Sequence, residues 1–398
     1  MKILLLNTLY TPNLIGGAER VVQSLAQGIV ETGYHSVVVC AAPTKSTRVD
    51  WVNGVKVYYV GLKNLYWPWG NNRVHFGLKP AFHVLDTYHP WMAREVARIL
   101  DIERPDLVHT NNIFGFSTLT WRRIKQRGLP IVHTLHDYYL LCPQGSMFRG
   151  GENCETRCIE CRLYSLPRKS PSNQVDSVVG VSEAILERHL KRGYFATTSR
   201  TKVIHNAYRL ETSMLQTNSR RSPVRFGYLG KLSAEKGLEV LLKSLTQLPA
   251  GKWALEVAGR GHNDYESYLQ GKYRMLPIRF LGYTRPEFFF PKLHVLVVPS
   301  LWHDPLPTVI IEAYAHGVPV IGSNRGGIPQ LVEEGRTGFL FDPYLPGDLR
   351  AKMQRFIDKP TLINDMRTAC LSKAEHFLPE NIVGQYLSVY ACAIGNDV

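Results

Sequence analysis

Two acidic residues, Asp304 and Glu312, stand eight positions apart in Pro299–Gly327, PSLWHDPLPTVIIEAYAHGVPVIGSNRGG. The apolar run Val295-Leu296-Val297-Val298 leads in as a strand. Pro299, Pro305 and Pro307 turn the chain, and Val309, Ile310, Ala313 and Tyr314 mark a helix. A second buried strand, Val318-Pro319-Val320-Ile321, ends at Gly322. This is a βαβ unit, and such units bind ligands where the strand's carboxyl end meets the helix's amino end. Taken alone, the acidic spacing is equally an ordinary helix start, with Asp favouring the dipole and Glu in solvent. A second constellation, Gly230-Lys231-Leu232-Ser233-Ala234-Glu235-Lys236-Gly237, follows the strand Arg225–Leu229. Cations on both sides of a strand-to-helix loop can grip a diphosphate without metal; a charged turn is the plain alternative. His136 and Asp137 follow the strand Ile131–Thr134, at the end where an open α/β sheet puts its site, although a lone histidine is more often structural. Gly16-Gly17 closes a turn before a helix, but the third glycine of a dinucleotide fingerprint is missing.

Cys142, Cys154, Cys158 and Cys161 fall within twenty residues, the last three as C-x3-C-x2-C. In a cytosolic chain such clustering favours metal over disulfides, and four thiolates can hold a structural zinc tetrahedrally. Reduced or partly paired thiols and an iron–sulfur cluster are the alternatives. Cys40, Cys370 and Cys392 are scattered and read as small apolar residues.

The elements that must position these groups alternate. A chain of 398 residues, 44% hydrophobic, suits two domains of about 200 residues, each with its own core. Residues 1–208 read as strands at Lys2–Asn7, Ser36–Cys40, Val55–Val60, Asp106–His109 and Leu129–Thr134, with helices between and a further strand–helix pair from Ser177. That alternation argues a parallel, doubly wound sheet. The polar stretch 209–222 reads as a linker. Residues 223–379 repeat the pattern, with strands at Arg225–Leu229, Trp253–Ala258, Ile278–Gly282 and Leu293–Ser300.

Pro299–Gly327 resembles the E-x7-E region of the retaining glycosyltransferases of family four, and so do Asn324–Val332 (NRGGIPQLV) and Gly335–Phe341 (GRTGFLF). Gly230–Gly237 resembles the family's G-R-L-x-x-x-K-G motif, Gly16–Val22 its G-G-A-E-R-x-V pattern, and V-H-T-L-H-D its T-x-H motif. The resemblance implies a GT-B fold, two Rossmann-like doubly wound parallel-sheet α/β domains facing across a cleft. It implies an acceptor-binding domain over 1–208, completed by a helix at 380–398, and a nucleotide-sugar-binding domain over 223–379. It places Glu312 at the donor ribose and Asp304, one methylene shorter than the family's Glu, at the sugar. Lys231 replaces the family's Arg, keeping the charge without the bidentate fork, and Lys236 matches. Gly16 and Gly17 face the donor's sugar and phosphates. Gly230 and the helix start at Leu306, Pro307, Thr308 and Val309 receive the diphosphate, and Gly282 and Tyr283 lie by the base. His136, rather than His133, lines the cleft. Some bacterial members carry a similar cysteine run, which suits a structural role. The implied reaction moves a sugar from a UDP- or GDP-sugar to a glycan or lipid-linked acceptor with retained configuration. Attack occurs on the same face, and the leaving phosphate accepts the acceptor's proton. No D-x-D motif is present to hold a divalent ion, so the chemistry is expected to need no cofactor.

Net charge is +14 and uneven, with 25 Lys+Arg against 15 Asp+Glu in residues 1–208. A basic half suits lipid headgroups, pyrophosphate or nucleic acid, or simply solubility. Residues 61–92 carry Tyr66, Trp67, Trp69, Phe76, Phe82, Tyr88 and Trp91 among Lys63, Arg73 and Lys79, either packed or forming a partner surface. Trp121 beside Arg122, Arg123, Lys125 and Arg127 suits an anionic bilayer surface or a solvated helix face. The first residues lack a signal-peptide pattern and no apolar run reaches the ~20 residues of a membrane span, so the expected place is the cytoplasm, at the inner face of the cell membrane. The expected role is assembly of bacterial cell-surface polysaccharide. Two other classes stand beside it: a GT-B sugar-nucleotide epimerase, and a basic zinc-containing nucleic-acid-binding protein. The second leaves Lys231, Lys236, Asp304 and Glu312 unexplained, so no nucleic-acid partner is expected.

Overall fold

A computed structural model describes residues 1–14, 16–70, 77–209 and 223–395. Ile15 of the glycine turn, Arg73 and Phe76 of the aromatic stretch, all but Arg209 of the expected linker, and the last three residues of the expected tail helix lie outside them. The chain divides into two units: Met1–Met147, Cys154–Ala207 and the segment from Pro379 on; and Phe148–Asn153 with Tyr208–Leu378. The expected 1–208 domain is therefore corrected at Phe148–Asn153, which groups with the second unit.

The first unit is built on β1 (Lys2–Leu6), β2 (His35–Ala42), β3 (Arg48–Val52), β4 (Val55–Gly61), β5 (Leu107–Thr110) and β6 (Ile131–Leu135). After the separate hairpin β7 (Phe148–Arg149) and β8 (Glu152–Asn153), β9 (Ser177–Gly180) and β10 (Arg200–Val203) complete it. The order is β10-β9-β6-β5-β1-β2-β4-β3, parallel throughout except for β3 against β4. Strands covered by helices on both faces need apolar residues at every position, which is why β1 and β2 read as unbroken Leu and Val runs. The helix Gly17–Glu31 gives Val22, Leu25 and Ile29 to the core, and Pro379–Ile394 adds Ile382, Val383, Tyr386 and Tyr390. Both nitrogens of the buried His109 are used, by Tyr390 Oη and Thr134 Oγ1 at 2.7 Å each.

The aromatic stretch holds a helix, Leu78–Thr87. Phe82 is buried beneath Tyr66 and Phe114, at ring separations of 4.6 and 5.5 Å, while Tyr88 and Trp91 are exposed. Trp121 corrects the bilayer-surface reading. It is fully buried on the helix Leu119–Lys125, with its indole N–H donated to Thr110 Oγ1 at 3.0 Å. Of the neighbouring cations, Lys125 pairs with Asp176 and Arg127 with Asp101. No helix among the described residues is long and apolar enough to cross a membrane.

The second unit contains β11 (Val224–Leu229), β12 (Trp253–Ala258), β13 (Ile278–Gly282), β14 (Val295–Val298), β15 (Val320–Ser323) and β16 (Gly338–Phe341). All pair in parallel, in the order β13-β12-β11-β14-β15-β16. The chain winds outward from β11 to one side and from β14 to the other. The carboxyl ends of these two strands therefore flank the switch point where such sheets bind ligands.

Candidate functional site

At that switch point two loops meet. The loop after β11 runs through Gly230 to Gly237, and the loop after β14 through Pro299 to Pro307. Gly237 has φ +70°, and a Cβ there would lie 1.9 Å from Pro299 O, so only glycine allows the loops to approach this closely. Leu301 N and Trp302 N both donate to Glu235 O, at 2.9 and 3.3 Å. The result is a pairing that sequence spacing does not predict: Lys236 Nζ stands 2.6 Å from Asp304 Oδ2 and 5.1 Å from the Trp302 ring centroid. Asp304 is buried, and Gly327 N donates to its carbonyl at 2.8 Å. Gly326 has φ +56°, and a Cβ there would meet Asp304 O at 2.1 Å.

The remaining expected residues of this unit lie around the same sheet end. Lys231 is largely exposed, 3.9 Å from Glu235, while its carbonyl accepts from the Tyr228 hydroxyl at 2.7 Å. Gly230 continues β11 at φ +159°, its N–H donated to Ala258 O. Leu306 is buried, Pro307 precedes the helix Thr308–Ala315, and Thr308 and Val309 form its first turn. The start of a helix carries partial positive charge, which favours an anion brought to it, although Ile310 N already donates to Pro307 O at 3.2 Å. Glu312 lies one turn further on, buried, and accepts from Thr308 Oγ1 at 3.3 Å. Gly282 ends β13 at φ +66°, with exposed Tyr283 next to it.

In the first unit, Gly16 caps the helix Gly17–Glu31 and its N–H donates to the Glu19 carboxylate at 2.8 Å. His136 follows β6, and its Nε2 is 3.0 Å from Asn111 Oδ1, beyond the end of β5. Burial pulls the His136 pKa down to about 4 and pushes Asp137 up to about 6. His133, by contrast, is buried between Trp121 and Phe195 and bonded to Thr110 Oγ1 at 2.9 Å, a packing role. Asn111 escaped the sequence reading. It is 2% exposed, and the signal for it was an Asn-Asn pair directly after the strand Leu107–Thr110.

Cys142 and Cys161 are buried, and Cys158 Sγ accepts from Cys161 N at 3.4 Å. Cys142 and Cys161 interact closely, and that contact favours the loss of one proton from the pair while it opposes the loss of the second. Among the described residues no three His, Cys, Asp or Glu side chains form a metal-ligand group. The expected tetrahedral set of Cys142, Cys154, Cys158 and Cys161 is not drawn together as such a group among them.

Two doubly wound α/β units of this kind are the architecture of the GT-B glycosyltransferases. Solved structures share the fold. Sucrose-phosphate synthase from Thermosynechococcus elongatus superposes with a TM-score of 0.77 at 19% identity over all of both chains. The Anabaena protein Alr3699/HepE in complex with UDP and glucose gives 0.70 at 20% identity over 98% of this chain and 99% of that one. Residues 15–212 match the family model described as Glycosyltransferase Family 4, and residues 211–376 that described as Glycosyl transferases group 1. An uncharacterized 42.6 kDa protein in the cps region of Klebsiella pneumoniae is 32% identical over 332 residues, 83% of this chain and 87% of its own. Glycogen synthase of Mycobacterium tuberculosis is 24% identical over 386 residues, 90% of this chain and 87% of its own. The chain belongs to glycosyltransferase family four.

Proposed function

We propose that this glycosyltransferase moves a sugar from a UDP- or GDP-sugar to a glycan or lipid-linked acceptor, with retained configuration, in the assembly of a cell-surface polysaccharide. The observation that carries the reading is the Lys236–Asp304 pair, 2.6 Å apart between the carboxyl ends of β11 and β14. Cleavage of a nucleotide-sugar leaves a diphosphate dianion and a cation-like sugar, so the site needs a fixed cation for one and a carboxylate for the other. Lys236 serves the diphosphate together with Lys231, Gly230 and the helix start at Leu306–Val309, where Thr308 and Val309 carry backbone N–H groups and Pro307 does not, and Asp304 serves the sugar. Glu312 takes the ribose hydroxyls, and Gly282 and Tyr283 border the base. In this proposal Gly16 and Gly17 are assigned to the donor's sugar and phosphates, and neutral His136 to the acceptor. No side chain here is assigned as a covalent nucleophile, because Asp304 is already engaged by Lys236. The leaving phosphate accepts the acceptor's proton, and the two lysines stand in for a divalent ion. The UDP and glucose bound by the Anabaena neighbour and the cps-region setting of the Klebsiella relative support the donor class and the polysaccharide role. Contact of the basic first unit with an anionic inner-membrane face belongs to the same proposal.

A thermal-shift series with UDP, GDP and their sugars tests it. A ligand at 100 times its Kd stabilises the folded state by about 2.7 kcal/mol. One nucleotide class is expected to raise the melting temperature of the wild type and to leave Lys236→Ala unmoved. No shift from any of them, or equal shifts in both proteins, would count against the donor site.

A further inference from the structure

Asn153 has no part in the reading above, yet its side chain is bound to the loop that carries Asp304. Asn153 Nδ2 donates to Leu301 O at 2.7 Å, and His303 N donates to Asn153 Oδ1 at 2.8 Å. The carboxamide stands in for a peptide unit: one donor and one acceptor meet the carbonyl and the amide of residues two apart, as a neighbouring strand would. Both bonds lie inside the second unit, with which the β7–β8 hairpin groups. The rest of this loop is tied down by its own unit as well. Asp304 N donates to Trp302 O at 2.8 Å, Ser323 Oγ to Ser300 O at 2.7 Å, and Gly326 N to His303 Nδ1 at 3.3 Å. Leu301–His303, the segment that sets the direction of Asp304, is thus gripped from one side by Glu235 O and from the other by Asn153.

We infer that Asn153 is a positioning residue of the transfer site: its two-point grip on Leu301 and His303 keeps the Asp304 carboxylate at its station beside Lys236. The inference rests on the donor-loop reading above. It is specific to the side chain, because only a carboxamide of this length supplies both bonds. An Asp at this position retains the acceptor but sets a carboxylate oxygen against Leu301 O, so it repels where Asn attracts. A Gln keeps both groups on a stem one methylene longer.

The test compares Asn153→Ala, Asn153→Asp and Asn153→Gln in the full chain. Hydrogen–deuterium exchange of residues 300–305 reads the grip itself, nucleoside-diphosphate titration reads binding, and steady-state kinetics read transfer. In the Ala and Asp variants, exchange at His303 N–H is expected to quicken. Their kcat is expected to fall about tenfold, the Asp variant lower than the Ala, with Gln recovering part of the loss. UDP or GDP affinity is expected to stay within about twofold, because the ribose and base contacts lie outside this segment. Unchanged exchange or unchanged kcat would overturn the role. So would a parallel loss of nucleotide affinity, kcat and melting temperature, which marks a residue that only supports folding. A wild type that transfers sugar from no donor would defeat the transferase reading and the catalytic role together. The exchange measurement would still report separately whether Asn153 holds the loop.

Discussion

Lys231 and Lys236 share one loop, yet their surroundings give them different work. Lys231 keeps 70% of its side chain in water and sits 3.9 Å from Glu235, so solvent screens its charge. Lys236 is 27% exposed and fixed at 2.6 Å by Asp304, with the Trp302 ring beside it. A held cation needs no reorganisation when charge develops on a leaving group, whereas a mobile one does. Lys236→Ala is expected to lower kcat/KM by roughly 10²–10³, and Lys231→Ala by about tenfold. Steady-state kinetics on the two variants check this, and equal losses would refute the distinction. Both lysines were legible from their loop, but the ion pair was not, because its members lie 68 positions apart. Asn153 was invisible for a similar reason: its partners are 148 and 150 positions away.

Among the elements, the approach of the two switch-point loops depends on Gly237. Substitution by Ala strains the φ of +70° and drives a Cβ into Pro299 O. Gly251 has a similar φ of +74° with nothing within 4 Å, so it isolates the strain from the steric clash. Urea denaturation should show Gly251→Ala costing about 1 kcal/mol and Gly237→Ala more than about 2 kcal/mol, with donor binding lost in the second variant alone. Equal costs would mean that the close approach contributes nothing. The same contrast between local pattern and packing explains the misreading of Trp121. Its four basic neighbours made the helix look like a surface feature, yet period 3.6 points Trp121 inward beneath Thr110 while Arg122 and Arg123 lie on other faces. The helix Leu78–Thr87 was missed because the aromatic residues around it follow no clear helical period.

For the whole molecule, acid is the expected weakness. Burial lowers His89, His136, His189 and His294 to about 4 and His109 to about 3. These folded values lie below the ordinary 6.5, so as pH falls the unfolded chain takes up protons first. Stability is therefore full above about 6.5 and drains between 6.5 and 4. Glu103 extends the loss. Burial opposes its charge, but hydrogen bonds from Lys2, Lys56 and Tyr58 outweigh that and hold it at about 2, so its contribution disappears as pH falls from about 4.5 toward 2. Melting temperatures measured from pH 8 to 4 should fall steadily below 6.5, and a flat profile would contradict the buried neutral histidines. The alternation of strands and helices, the glycine loops, and the types and spacing of Lys236, Asp304 and Glu312 were written in the sequence, because each depends on local propensity and short-range pattern. The tertiary structure alone decided that Lys236 closes on Asp304, that Trp121 and His133 are core, that β7–β8 joins the second unit, and that Asn153 grips Leu301 and His303. Each is a contact between segments distant along the chain, where the outcome depends on how strands order in a sheet and which faces are left to pack.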